Sequence, residues 1–205
     1  MPPAKKKTSA SSARGAVAGK AAVKAKPVAT KKPPLTAPAK KTPSAAAIEA
    51  ADLAGRPAPD FTLPNQDGAP VSLASLTARG NLVLYFYPKD MTPGCTVEAC
   101  GFRDAVDEIH ALGAEIVGVS ADPPAAHRKF IEKHGLNFPL LSDPDNRVTS
   151  AYGVYKKKSL YGREFMGIQR TTFIIRRDGV VRTVFPKVKV SGHTGEVLAA
   201  LKSSA

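Results

Sequence analysis

Apolar and polar residues alternate through "FTLPNQDGAPVSL" at 61–73. Centred on Asp67-Gly68, this alternation predicts a β-hairpin. "NLVLYFYP" at 81–88 is a continuous apolar run ended by Pro88, which predicts a buried central strand. From residue 93 the period lengthens. Phe102, Ala105, Val106, Ile109 and Leu112 recur at helical spacing, and Gly113 closes a helix predicted over 93–112. "AEIVGVSAD" predicts a second buried strand. "PPAAHRKFIEKHG" predicts a second helix, with prolines at its start and Gly135 at its end. "FPLLSD" reads as a short strand and "DNRVTSAYG" as a short helix. "TTFIIRRDGVVRTVF" reads as two antiparallel strands joined at Asp178-Gly179, and "TGEVLAALK" as a closing helix.

The predicted order is therefore β-β-β-α-β-α-β-α-β-β-α. Alternating strands and helices in the first half give parallel pairing, and the last hairpin adds antiparallel strands. The fold class is α/β, a mixed sheet with helices on both faces.

Composition changes the picture at the N-terminus. The 205 residues carry a net charge of +13, and residues 1–45 hold 11 Lys/Arg with no Asp or Glu. The rest holds 19 basic and 17 acidic residues, so residues 46–205 form a nearly neutral block of one domain's size. Residues 1–45 are Ala, Lys, Pro, Ser and Thr, with one leucine, three valines and no aromatic residue. They cannot bury enough apolar surface to offset ordering, and are expected to be a disordered tail. The tail lacks the apolar core of a secretory signal, and its prolines break the amphipathic helix of a transit peptide. No run of about 18 apolar residues exists, so no membrane partner is expected.

Both cysteines, Cys95 and Cys100, fall in "YPKDMTPGCTVEAC", 87–100. Two cysteines in a chain without a secretory signal point to redox chemistry and a cytoplasmic location. Thr92 reads as a helix N-cap and Pro93 as the first helical position. Cys95 then lies third in the first turn, at the free N–H groups and the positive end of the helix dipole, where a thiolate is favoured over a thiol. In an ideal helix, residues five apart have Cα atoms roughly 8–9 Å apart, whereas a disulfide needs less than about 7 Å. The two sulfurs can join only if the first turns unwind. A low-pKa cysteine with a distant partner suits passage through a sulfenic acid.

Pro88-x-x-x-Thr92-x-x-Cys95 matches the PxxxTxxC signature of peroxiredoxins. The longer string "YPKDMTPGCTVEACGFRD", with "VGVSAD", "KHGLNFPLLSD", "AYGVY" and "GIQRTTFII", resembles the bacterioferritin comigratory protein / peroxiredoxin Q subfamily over roughly 52–202. The resemblance implies a thioredoxin-like fold and a peroxidase for hydrogen peroxide and alkyl hydroperoxides, serving antioxidant defence. It implies no metal or organic cofactor, and recycling by thioredoxin or a related dithiol protein. It makes Cys95 the peroxidatic and Cys100 the resolving cysteine. Pro88 shields the thiolate, Thr92 offers its hydroxyl, and Arg170 stabilises the thiolate and polarises the O–O bond. The subfamily is commonly monomeric, although dimers occur.

Plainer readings stand beside these. Thr92 alone would read as a cap, Cys100 as a small buried residue, and Arg170 as a strand-end charge, but the signature favours the functional role at each. Glu98 reads either as a hydrogen-bonding group near the site or as a charge that favours the early helix, the second being expected, and Arg103 and Asp104 read as surface or local ion-pair residues. His110, His127, His134 and His193 show no metal-ligand spacing. Two other functions remain as alternatives. One is a thioredoxin-like disulfide exchanger, which the four-residue gap between the cysteines disfavours. The other is weak, salt-dependent DNA binding by residues 1–45, with nucleoid association.

Overall fold

The apolar run at 81–88 becomes β3 (Asn81–Phe86), the middle strand of a five-stranded sheet in the order β5-β4-β3-β8-β9. The computed structural model describes residues 49–160 and 162–203. The basic tail, residues 1–45, and the proposed boundary at 45/46 lie outside the described residues. β3 pairs in parallel with β4 (Ala114–Ser120), and β4 with β5 (Leu140–Ser142). On its other side β3 pairs antiparallel with β8 (Thr171–Ile175), which turns through Asp178-Gly179 into β9 (Val181–Pro186). Gly179 has φ 81, the left-handed turn geometry that the Asp-Gly pair predicts.

Side chains of a strand point alternately to opposite faces, and both faces of β3 are covered. Leu82, Leu84 and Phe86 join one apolar cluster with Leu73 and Leu76 of α1 (Leu73–Thr77) and Val148 of α4 (Arg147–Ala151). Val83, Tyr85 and Tyr87 join the other, with Phe102, Val106 and Ile109 of α2 (Pro93–Ala111), Phe130 of α3 (Pro124–His134), and Val197 and Leu201 of α5 (His193–Lys202). Gly118 of β4 lies opposite Tyr85. A Cβ there would stand 2.7 Å from both the Tyr85 ring and Leu140, so the strand needs a glycine at this point.

The predicted first hairpin is present as β1 (Thr62–Pro64) and β2 (Pro70–Ser72). Three elements were not predicted. A 3-10 helix spans Ala50–Leu53. Ser72 forms a capping box with Ser75, which starts α1 where the predicted hairpin ends. A further hairpin, β6 (Tyr155–Leu160) and β7 (Arg163–Ile168), follows α4. Lys157, Glu164, Phe165 and Met166 in it are all exposed, so no alternating apolar face marked it.

Candidate active site

β3 delivers the chain to the site. Tyr87 donates its N–H to the Val119 carbonyl at 3.1 Å, the last rung of the ladder, and Pro88 follows it, exposed. The chain then turns through Lys89–Thr92 into α2. Thr92 occupies the N-cap position with extended backbone, but its side chain makes no cap hydrogen bond. Its hydroxyl donates instead to the Lys89 carbonyl at 3.0 Å. The Thr92 oxygen therefore keeps lone pairs for an incoming donor, and capping does not compete with that use. Cys95 is third in the helix, as predicted, and 1% exposed.

Arg170 reaches this sulfur from 75 residues away, its Nη2 donating to Cys95 Sγ at 3.2 Å. Sheet register explains the meeting. Phe86, the last residue of β3, faces Thr171, the first of β8. Arg170, just ahead of β8, thus stands beside the point where the chain leaves β3 for Cys95. Gly94 leaves the guanidinium its room, since a Cβ there would lie 3.3 Å from Nη2.

The second arm of Arg170 donates from Nη1 to Glu98 Oε2. Glu98 is 2% exposed, and its Oε1 is buried without a hydrogen-bond partner. Burial pushes its carboxyl up to about 7, against the pull of Arg170. Burial also opposes the charge on Arg170, but Glu98 and then Cys95 outweigh it and hold the guanidinium above its ordinary value. Lys158 of β6 donates from Nζ to the Ile168 carbonyl, two residues before Arg170. Burial lowers its pKa, the Arg170 charge adds to this, and Cys95 opposes.

Glu98 thus does more than favour the early helix. It lies three residues after Cys95 on the same helix face, the face that continues into Phe102 and Val106. A carboxylate on an apolar stripe calls for a buried cation, and that signal could have found it. Arg103 pairs with Asp104 as expected and also donates to the His134 carbonyl at 2.6 Å, tying α2 to the end of α3. His127 and His193 are buried, and no cluster of metal-ligating side chains occurs among the described residues.

Cys100 is half-buried in the same unbroken helix, and both thiols are free. The site is a buried sulfur at a helix N-terminus, gripped by a guanidinium, with a second sulfur five residues on in the same helix. Residues 54–184 match the AhpC/TSA family. The chain belongs to that family, as a peroxiredoxin of the bacterioferritin comigratory protein / peroxiredoxin Q subfamily. It is 49% identical over 147 residues to the putative peroxiredoxin bcp of Coxiella burnetii, covering 72% of this chain and 97% of that one. It is 47% identical over 152 residues to Peroxiredoxin Bcp of Escherichia coli K12, covering 74% and 97%. Among solved structures, Xanthomonas campestris Peroxiredoxin Q is 43% identical with a TM-score of 0.67, covering 70% of this chain and 90% of that one. This peroxiredoxin is accordingly a thiol peroxidase with the thioredoxin-like fold.

Proposed function

We propose that Cys95 is the peroxidatic cysteine and Cys100 its resolving partner, acting on hydrogen peroxide and alkyl hydroperoxides. The contact between Arg170 Nη2 and Cys95 Sγ at 3.2 Å carries the reading. A study of the Xanthomonas campestris bacterioferritin comigratory protein, 42% identical, concerns its alkyl peroxide reduction activity. The Cys95 thiolate attacks one peroxide oxygen and the O–O bond breaks. The other oxygen leaves with a proton as water or alcohol, and Cys95 becomes a sulfenic acid. Arg170 and the free N–H groups of the first turn face the developing charge. The Thr92 oxygen accepts from the peroxide O–H.

The Cys100 thiolate then attacks the Cys95 sulfur, hydroxide leaves and takes a proton as water, and the disulfide forms. The stretch that must unwind is weakly helical, with Gly94, Thr96, Val97 and Gly101. A dithiol protein such as thioredoxin reduces the disulfide by exchange. A simple disulfide exchanger has no use for a guanidinium on the sulfur. Cys95, Glu98 and Arg170 come from one chain, which suits a monomer. Among the described residues no helix is long and apolar enough to cross a membrane.

The chain has no tryptophan, so quenched flow with mass spectrometry is the suitable assay. Cys95→Ser is expected to abolish rapid peroxide consumption. Cys100→Ser should leave a sulfenic acid and no intramolecular disulfide. A disulfide-bonded monomer in Cys100→Ser would defeat the assignment.

A second reading concerns residues 1–45. The family match spans residues 54–184, and the acid-free basic stretch 1–45 lies ahead of it. Its 11 positive charges fit weak, sequence-independent binding of DNA and a nucleoid-associated place in the cytoplasm. Gel shifts at two salt concentrations test it. Equal binding by the full chain and by a chain lacking residues 1–45 would remove the reading.

A further inference from the structure

The turn ahead of Cys95 is held by buried polar groups for which the peroxidase chemistry has no use. Asp90 is 6% exposed and His127 fully buried. The Tyr87 hydroxyl donates to Asp90 Oδ1 at 2.7 Å. His127 Nδ1 lies 2.8 Å from Asp90 Oδ2 and 3.4 Å from the Tyr87 oxygen. His127 Nε2 lies 3.1 Å from the Leu141 carbonyl. The Asp90 N–H donates to Asp122 Oδ2 at 2.8 Å, and Ser120 Oγ donates to the same oxygen at 2.8 Å. One residue of the turn is thereby tied to the ends of β3 and β4, to α3 and to β5.

A carbonyl only accepts, so Nε2 of His127 carries a hydrogen. A second hydrogen must lie between Nδ1 and the Asp90 carboxyl, since a bare carboxylate and a bare ring nitrogen would repel at that distance. Asp90 and His127 thus form a net-neutral pair sharing that proton. The residue after Asp90 shows what this grip resists. Met91 has φ 61, the left-handed region that a residue with a Cβ disfavours. Its side chain is 40% exposed, so its own packing does not impose that backbone. The anchor at Asp90 and the Thr92–Lys89 hydrogen bond impose it from either side.

We propose that Asp90 is a positioning residue. Clamped by His127 and Tyr87, it holds the strained 89–92 turn, and with it the start of α2, in the arrangement in which Cys95 meets peroxide. Its release favours the unwound arrangement in which Cys95 meets Cys100. The inference rests on the Cys95–Cys100 reading above.

Quenched flow on the full-length protein separates the two steps, sulfenic acid formation and disulfide formation. Asp90→Ala leaves Tyr87 and His127 without their acceptor. It should slow oxidation of Cys95 and speed disulfide formation, each on the order of tenfold, or ~1.4 kcal/mol. Tyr87→Phe removes one grip and should shift both steps the same way by less, which covers a poorly folding Asp90→Ala. In Asp90→Asn the amide keeps an acceptor for Tyr87 and gives an N–H to a neutral His127, so both rates should stay near wild type. Val181→Ala, a core change in β9, should lower Tm and move neither step. Asp90→Ala and Tyr87→Phe that leave both steps unchanged, or move both in one direction, overturn the inference alone. A wild type that oxidises at Cys95 but never forms the disulfide overturns the resolving role of Cys100 first, and this inference with it.

Discussion

Replacing Glu98 with glutamine separates the two forces on that carboxyl, burial and Arg170. In the folded protein its pKa is raised from 4.5 to about 7. A gap of that size corresponds to ~3 kcal/mol between the protonation states. Because the folded value is raised, the folded state prefers the neutral carboxyl. That stability is fully present below about pH 4.5, is lost as pH rises towards 7, and changes no further above it. Glutamine cannot ionise and keeps a carbonyl oxygen for Arg170. Urea unfolding of reduced wild type and Glu98→Gln, between pH 4.5 and 7.5, measures the difference directly. Other titrating groups cancel between the two proteins. Wild type should lose on the order of 3 kcal/mol relative to the variant across that interval. A constant difference would mean the carboxyl does not titrate there. A difference that grows in favour of wild type would mean that Arg170, not burial, sets its ionisation, and the reasoning would be wrong.

Arg170→Lys keeps a positive charge but loses the planar fork that reaches Cys95 and Glu98 together. Oxidation of Cys95 should slow by roughly 100-fold, and an unchanged second-order rate would show that charge alone suffices. Thr92→Val should slow the same step by about fivefold, the worth of one hydrogen bond of ~1 kcal/mol, whereas Thr92→Ser should not. Equal rates in the two variants would remove the hydroxyl from the reaction. Gly118→Ala forces a methyl against Tyr85 and Leu140. It should destabilise by about 1–3 kcal/mol and lower the melting temperature by several degrees, and an unchanged melting curve would contradict the close packing there.

The central elements were legible because their signals are local. β3 shows as an unbroken apolar run before a proline, α2 as a helical stripe, and the β8–β9 turn as Asp-Gly. Cys95 at the third helical position followed from Thr92-Pro93 alone. What the sequence hid depends on partners distant along the chain. Arg170 was recognisable only through the resemblance, because nothing in "GIQR" reports that β8 runs antiparallel beside β3. Glu98 was read as a helix-start charge because its cation lies 72 residues away. Asp90 and His127 are 37 residues apart and each looks like an ordinary polar residue until packing makes them neighbours. The β6–β7 hairpin escaped for the opposite reason, since its half-buried positions in β6 include Lys156 and Lys158 and its apolar Phe165 and Met166 are exposed, which leaves no periodic apolar imprint.

The antiparallel return of β8 also sets an order of events during synthesis. Cys95 leaves the ribosome 75 residues ahead of Arg170. At about 5–20 residues per second that interval lasts roughly 4–15 s. A nascent chain throughout that interval carries a cysteine without its guanidinium, so its response to peroxide is that of an unassisted thiol. Under the role proposed for Cys95, its sulfur gains this guanidinium only when one of the last strands closes the sheet, and an incomplete translation product scavenges peroxide no faster than an ordinary thiol.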